Sequence, residues 1–340
     1  MNLFFLCLFI FVFLLLITGI LISAGCGKYG EKDVVKDLSS KVNKANAYKL
    51  DGNLEIVNND EVYNYNIEVS YKRGNYYKVS LTNVNNNHTQ VILKNNDGVY
   101  VLTPSLNKSF KFQSDWPYSN SQIYLLSALL GDITNDNNRT FKETDNGYIF
   151  STKVNYPNNK ELIRQDIELS KKLKFKTVKV YNSKDVLCMT MKFNDIDYSP
   201  TFKKNYFELD TIMSSYTTDS DEVLETSNLD SSIYPLVVPT GTKLTSEEKL
   251  KKDSGERIIL TFDGEKPFLL VEETANVEEE FTIIPTYGEP YQLMDTLGVM
   301  TNNSLTWTSN GIEYYIVSDV LSQNELIEVA QSINVLPTMK

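Results

Sequence analysis

Cys26 carries the clearest chemistry in the chain. It stands directly after Ser23-Ala24-Gly25, and these follow Leu3 to Ile22, a run without a charged residue. An apolar run that ends in small residues is how a signal peptide presents its cleavage point to a peptidase. A cysteine placed next suits a lipoprotein signal, in which the thiol takes a diacylglyceryl group and Cys26 becomes the new N-terminus. Two acyl chains hold a protein at a bilayer, each buried methylene contributing roughly 0.8 kcal/mol. The apolar run, about 20 residues, is also long enough to span a bilayer as an uncleaved helix. Both readings put the residues that follow outside the cytoplasmic membrane, on its outer face, and the cysteine favours lipidation of Cys26.

Other chemistry is thinly supplied. His88 is the one histidine, in the polar run Asn85-Asn86-Asn87-His88-Thr89. Any nucleophile of the Ser-His or Cys-His kind would depend on it. Cys7 leaves with the signal and Cys26 is acylated, so Cys188 has no partner for an intramolecular disulfide. Its setting, Val186-Leu187-Cys188-Met189, suggests a small buried hydrophobe. A zinc site of the usual His and Cys ligands cannot be assembled. Dinucleotide, P-loop and HExxH patterns are absent. Paired carboxylates of the glycosidase kind remain conceivable among the 44 acids, but at a net charge of −11 those acids read first as solvation. The chain therefore reads as a non-enzyme without a cofactor. Its acidity disfavours nucleic acid as a partner. It also offers no overall attraction to anionic lipid, which leaves membrane contact to the anchor.

The elements around these residues are mostly strands. Lys28 to Ala47 reads as a helix with an apolar stripe of Val34, Val35, Leu38, Val42 and Ala45, packed on the sheet that follows or lying at the membrane. Alternation and Tyr/Val content mark strands at Lys49–Val57, Val62–Lys72, Tyr76–Thr82, Val91–Lys94, Val99–Thr103 and Lys108–Phe112. Asn95-Asn96-Asp97-Gly98 is hairpin chemistry. Ser121–Leu130 is helix-like, a polar loop follows over Asp132–Arg139, and strands resume at Tyr148–Val154, Ile163–Leu169, Leu173–Tyr181 and Val186–Ile196. Met213–Ser232 is rich in Ser, Thr and acids and reads as a linker. Beyond it lie strands at Arg257–Asp263, Pro267–Glu273, Glu280–Ile284, Ser304–Thr308 and Glu313–Ser318. Ser322–Ile333 then reads as a closing helix with a Ser322/Glu325 capping box. The expected fold class is α+β: a signal peptide over 1–25, a first domain over 26–210, a linker over 211–232 and a smaller α+β domain over 233–340.

One segment is more specific. Val99 to Leu126, VYVLTPSLNKSFKFQSDWPYSNSQIYLL, resembles the signature of the YdcC-type sporulation lipoproteins of endospore formers. That family is related to the germination lipoprotein GerS, within the superfamily of the lipoprotein carrier LolA and the regulator RseB. Tyr71–Val79 and Phe193–Leu209 fit on either side, and Pro235–Gly241, Trp307–Tyr314 and Glu325–Ser332 are similar to an attached C-terminal domain. The resemblance implies an unclosed, LolA-like antiparallel half-barrel with covering helices, followed by the smaller domain. On that fold Ile123, Tyr124, Leu126, Leu129 and Leu130 would be the lid of a concave cavity, unless the face is a filled core. Phe112 and Trp116 would be either exposed contacts for a partner or a packed corner of the sheet. Two functions follow. One is a membrane-anchored lipoprotein of sporulation or germination that binds an envelope or spore-cortex protein, a cell-wall amidase being the class implied by the germination lipoproteins. The other is a binder or carrier of an acyl chain on the concave face. A carrier fixed to the membrane is a poor shuttle, which ranks partner binding first.

Overall fold

The longest alternating stretches form the middle of the first sheet. β1 (Ala47–Asn58) and β2 (Glu61–Lys72) pair antiparallel end to end, from Ala47 opposite Lys72 to Asn58 opposite Glu61. Their inward positions, Leu50, Leu54, Tyr65, Ile67 and Val69, are buried, as expected where one face of a pleat meets a core. The computed structural model describes residues 29–333, apart from 59–60, 115, 118–120, 157–158, 218–228, 230, 253–254 and 294. Cys26 and the segment read as a signal peptide lie outside the described residues.

Two arms extend from this pair. On one side run β3 (Tyr76–Asn83), β4 (Thr89–Asn95), β5 (Gly98–Thr103) and β6 (Lys108–Phe112). On the other, β11 (Leu187–Asp197) pairs with β1, followed by β10 (Phe175–Asn182), β9 (Leu162–Ser170), β8 (Gly147–Lys153) and β7 (Thr140–Glu143). The β1–β11 register slips at Gly52, where a Cβ would lie 2.2 Å from the Lys192 carbonyl oxygen. Only glycine lets the two backbones approach so closely.

A second antiparallel sheet has the order β12 (Thr242–Lys252), β13 (Gly255–Gly264), β14 (Phe268–Thr274), β19 (Ile312–Val317), β18 (Ser304–Ser309), β17 (Leu297–Met300), β16 (Glu289–Gln292). Helix α4 (Gln323–Ile333) packs Leu326, Val329, Ala330 and Ile333 into its core. Ser322 caps it as its sequence suggests: the Ser322 N–H donates to Glu325 Oε2 at 3.0 Å.

β15 (Thr282–Thr286) departs from the sequence reading. It leaves the C-terminal unit and joins the first sheet, parallel to β6, with the Thr282 N–H donating to the Asn107 carbonyl at 3.0 Å. In that register Thr282, Ile284 and Thr286 turn their backbone groups to β6, and Pro285 faces the open edge, where its missing N–H costs no ladder bond. The sheet therefore ends at β15 and β7 without closing. The fold is α+β with an open, mostly antiparallel first sheet.

Three helices serve that sheet. α1 (Glu31–Lys44) and α2 (Leu126–Asn135) lie on its inner face. α3 (Leu209–Thr217) packs Ile212 and Met213, with Phe207, on the outer face against Val91, Leu93, Tyr100 and Leu102. This helix occupies the start of the segment read as a linker. Its buried residues stand among Ser and Thr, and so gave no clear stripe. α2 begins five residues later than its sequence suggests, because Leu126, Leu129, Leu130 and Ile133 form the buried stripe. β12 went unread because nearly all of its eleven residues are exposed and polar. Among the described residues no helix is long and apolar enough to cross a membrane.

Candidate functional site

The inner face of the first sheet brings together most of the residues singled out from sequence. Val34, Leu38 and Val42 of α1 and the stripe of α2 meet the inward side chains of β1, β2, β3, β8, β9 and β10 in one core. Ile123, Tyr124, Leu126, Leu129 and Leu130 all join it, with exposures from 0 to 5%. The five candidate lid residues thus act as one body, and they fill the face. Phe112 and Trp116 are 3% and 1% exposed. Trp116 meets the Tyr77 ring edge-on at 5.9 Å. Both belong to the packed core, and neither side chain is exposed for a partner to reach.

A polar cluster ties this cover down. Asp132, on α2, accepts from Ser121 Oγ at 3.1 Å and from Gln165 Nε2 at 2.7 Å. Ser121 is in turn clasped to Asn155: its N–H donates to the Asn155 carbonyl at 2.8 Å, and the Asn155 N–H donates to Ser121 Oγ at 2.9 Å. Gln165 is fully buried on β9 and also donates to Thr152 Oγ1 at 3.2 Å. Burial pushes the Asp132 carboxyl up to about 6, against the pull of its two hydrogen bonds. Gln165 Oε1 and Tyr156 Oη have no hydrogen-bond partner among the described residues. The cluster holds a buried acid among neutral donors and fixes α2 to the sheet.

A second buried acid lies in the other sheet. Glu272 is fully buried, and both of its carboxylate oxygens accept from the Ile233 N–H, at 3.2 and 3.0 Å. Burial pushes it up to about 7. Across the strands Glu272 stands opposite Tyr314, and Tyr314 opposite Trp307, with these two rings stacked at 5.0 Å. The Glu272 carboxylate pins the segment that enters the second sheet.

Between the sheets, Gln90 of β4 reaches β17. Its Oε1 accepts from the Leu297 N–H at 2.5 Å and from Thr296 Oγ1 at 3.0 Å, and its Nε2 donates to the Leu297 carbonyl at 3.2 Å. Leu297 and Val299 complete the first core. Lys108, 8% exposed, pairs with Glu278 at 3.6 Å and Glu313 at 3.0 Å. The C-terminal chain is thereby tied to the first sheet by strand, side chain and charge.

His88 and Cys188, also singled out from sequence, lie elsewhere. His88 sits in the β3–β4 turn with Nδ1 3.2 Å from Ser105 Oγ, and burial lowers its pKa. Cys188 is half-buried rather than enclosed, and burial raises its thiol above the ordinary value. It stands near the start of β11, where the twist leaves it at the border of the core. No three His, Cys, Asp or Glu side chains among the described residues are placed to hold a metal ion. Sequence reasoning missed Asp132, Gln165, Gln90 and Glu272. Ile133, seven residues after Leu126, signals that the helix runs through Asp132. Glu272, in step with Phe268 and Leu270, is an acid on an apolar face and was legible as such.

No protein-family model matches the chain. It is similar to the sporulation protein YdcC of Bacillus subtilis (strain 168), with 36% identity over 324 residues, covering 94% of this chain and 96% of that one. Among solved structures it is similar to the Pseudomonas aeruginosa MucA/MucB complex, at 11% identity and a TM-score of 0.32, over 88% of this chain and 97% of that one. It is also similar to the complex of the CwlD amidase with the GerS lipoprotein from Clostridioides difficile, at 17% identity and a TM-score of 0.31, over 51% of this chain and 99% of that one. On the identity and coverage it shares with YdcC, the chain belongs to the family of that sporulation protein.

Proposed function

We propose that the chain is a lipid-anchored, non-catalytic protein of the sporulating cell that binds a protein partner at the outer face of the cytoplasmic membrane. The observation that carries this reading is the filled inner face of the first sheet. Leu126, Leu129 and Ile133 lie on it with 0% exposure. An acyl chain would have to displace α2 and break the Asp132–Gln165 and Asp132–Ser121 hydrogen bonds. That weighs against the carrier reading, and a diacylglyceryl group on Cys26 would weigh against it again by fixing the protein in place. Membership in the YdcC family supports the sporulation setting. The relation of the YdcC-type lipoproteins to the germination lipoproteins, and no motif of this chain, makes a cell-wall amidase the first partner to test.

The experiment is affinity capture of the full-length protein from sporulating cells, alongside deletion of its gene. Enrichment of a cortex amidase or another identified envelope enzyme, with a sporulation or germination defect in the deletion, is the expected result. Normal spores and no such enzyme overturn the reading. Labelled palmitate should enter the parent and be lost in Cys26→Ala. Label that persists in the variant removes the anchor from the proposal.

A further inference from the structure

We propose that the turn between β9 and β10 is a second membrane contact, one that meets anionic headgroups and orients the tethered protein. This rests on the anchoring reading of Cys26. The chain as a whole carries −11, yet this turn and the strand it opens read Lys171-Lys172-Leu173-Lys174-Phe175-Lys176, with all four lysines exposed. The fold brings them to the point where the described chain begins. The Tyr29 ring sits 6.4 Å from the Tyr148 ring, and Lys171 Nζ sits 4.8 Å from the same ring. Lys41 of α1 donates to the Lys172 carbonyl at 3.0 Å and the Leu173 carbonyl at 3.1 Å, clamping the turn to the helix and adding a fifth ammonium.

Chain length closes the argument. Cys26 precedes Tyr29 by three residues, which reach at most about 11 Å. A diacylglyceryl group keeps Cys26 at headgroup depth, so the lysine turn is held near that surface by covalent geometry. Acids temper the patch without cancelling it. Glu143 pairs with Lys171 at 2.8 Å, Asp195 reaches Lys174 at 3.9 Å, Asp145 lies in the neighbouring β7–β8 turn, and Asp37 of α1, one turn beyond Asp33, accepts from Tyr29 Oη at 2.9 Å. Lys172, Lys176 and Lys142 remain exposed beside them. Lysines near an anionic surface act over about a Debye length, roughly 8 Å in physiological salt. The whole-chain charge therefore hides a basic face next to the anchor. Acyl chains plus such a face supply two independent membrane signals.

The test uses full-length protein carrying Cys7→Ser and Cys188→Ser, reconstituted into vesicles that contain a headgroup-spin-labelled lipid. A fluorophore is placed at Asn146→Cys, beside the turn, or at Leu269→Cys in the second sheet. In equimolar phosphatidylglycerol and phosphatidylcholine, quenching at 146 should exceed that at 269 by about twofold or more, and should fall by about half in phosphatidylcholine alone, in high salt, or in Lys172→Glu/Lys174→Glu. Equal quenching at the two positions, or quenching indifferent to lipid charge, overturns the proposal. Intact mass reads the state of Cys26 in the same samples. Loss of the acyl mass ends the lipid-anchor reading by itself, while the ratio between the two probes still decides the turn.

Discussion

Gln165 Nε2 and Asp132 Oδ2 lie 2.7 Å apart, one on the sheet and one on the helix that covers it. Ser121 Oγ and Thr152 Oγ1 complete the network, so the helix is fixed in register as well as by apolar contact. Neutral donors facing a buried carboxyl offset only part of the cost of its charge.

That cost has a pH signature. Asp132 ordinarily titrates at 3.8 and is held at about 6, and Glu272 moves from 4.5 to about 7. In both, the folded state keeps a proton that the unfolded chain has released. The contribution of these two groups to stability is therefore greatest below pH 4, declines as pH rises through 6 and 7, and is level above. Asp132→Asn and Glu272→Gln keep an acceptor and remove the charge. Each should stabilise the protein at pH 8 by about 1 to 3 kcal/mol and flatten its part of the decline. The two sites lie in different sheets, so their effects should add. Urea melts at pH 4, 6 and 8 read this directly. A variant that loses stability at pH 8 means that its carboxylate is needed ionised.

Gln90 should couple the two sheets. In Gln90→Ala the Leu297 N–H loses its buried acceptor, costing about 1 to 3 kcal/mol, while the Leu297 carbonyl and Thr296 Oγ1 each lose one partner and keep each other at 3.5 Å. The expected outcome is a loss of about 2 to 4 kcal/mol, with earlier cleavage around Glu289–Met300 in limited proteolysis. A single unshifted melt with parent-like cleavage would show that strand β15 and the Lys108 ion pairs suffice without it.

Gly147 sets how closely β8 approaches β9. A Cβ there would fall 1.8 Å from the Leu169 carbonyl oxygen, a backbone atom that cannot swing away. Gly147→Ala should cost about 1 to 3 kcal/mol and disturb the Tyr148 ring, which is stacked on Phe141 at 5.7 Å. Parent-like stability and near-ultraviolet dichroism would mean that the strands can separate cheaply.

The strands of the first sheet were legible because period-two alternation survives in a sheet with one packed face, as Leu50, Leu54, Tyr65 and Ile67 show. The polar capping of α4 was legible for a similar local reason: Ser322 and Glu325 are neighbours in sequence and in space. What stayed hidden is non-local. That Thr282–Thr286 would cross to β6 depends on an edge built 174 residues earlier. Trp116 as a buried corner depends on Tyr77, a residue on another strand. β12, exposed on both faces, has no hydrophobic period to read. Of the candidate site, the apolar cover could be named from composition, whereas its fastening by Gln165 could not, because a lone glutamine in a strand gives no signal of what it will meet.

Leu129→Ala separates a core from a lid. Leu129 is fully buried between α2 and the sheet. If the face is a core, truncation leaves a cavity and costs about 2 to 5 kcal/mol, with fluorescent fatty acid binding no better than in the parent. If the face is a lipid cavity beneath a movable lid, the same truncation enlarges the space, costs little, and strengthens fatty acid binding. The hydrogen bonds from Asp132 to Ser121 and Gln165 argue for the first outcome, since a lid that must open would have to leave Gln165 and Ser121 without their acceptor. Adding Asp132→Ala to Leu129→Ala sharpens the contrast. In a core the second change deepens the destabilisation, and in a lidded cavity it raises ligand affinity by freeing α2. Melting temperature and fatty acid titration, measured on the parent, Leu129→Ala and the double variant, decide between the two.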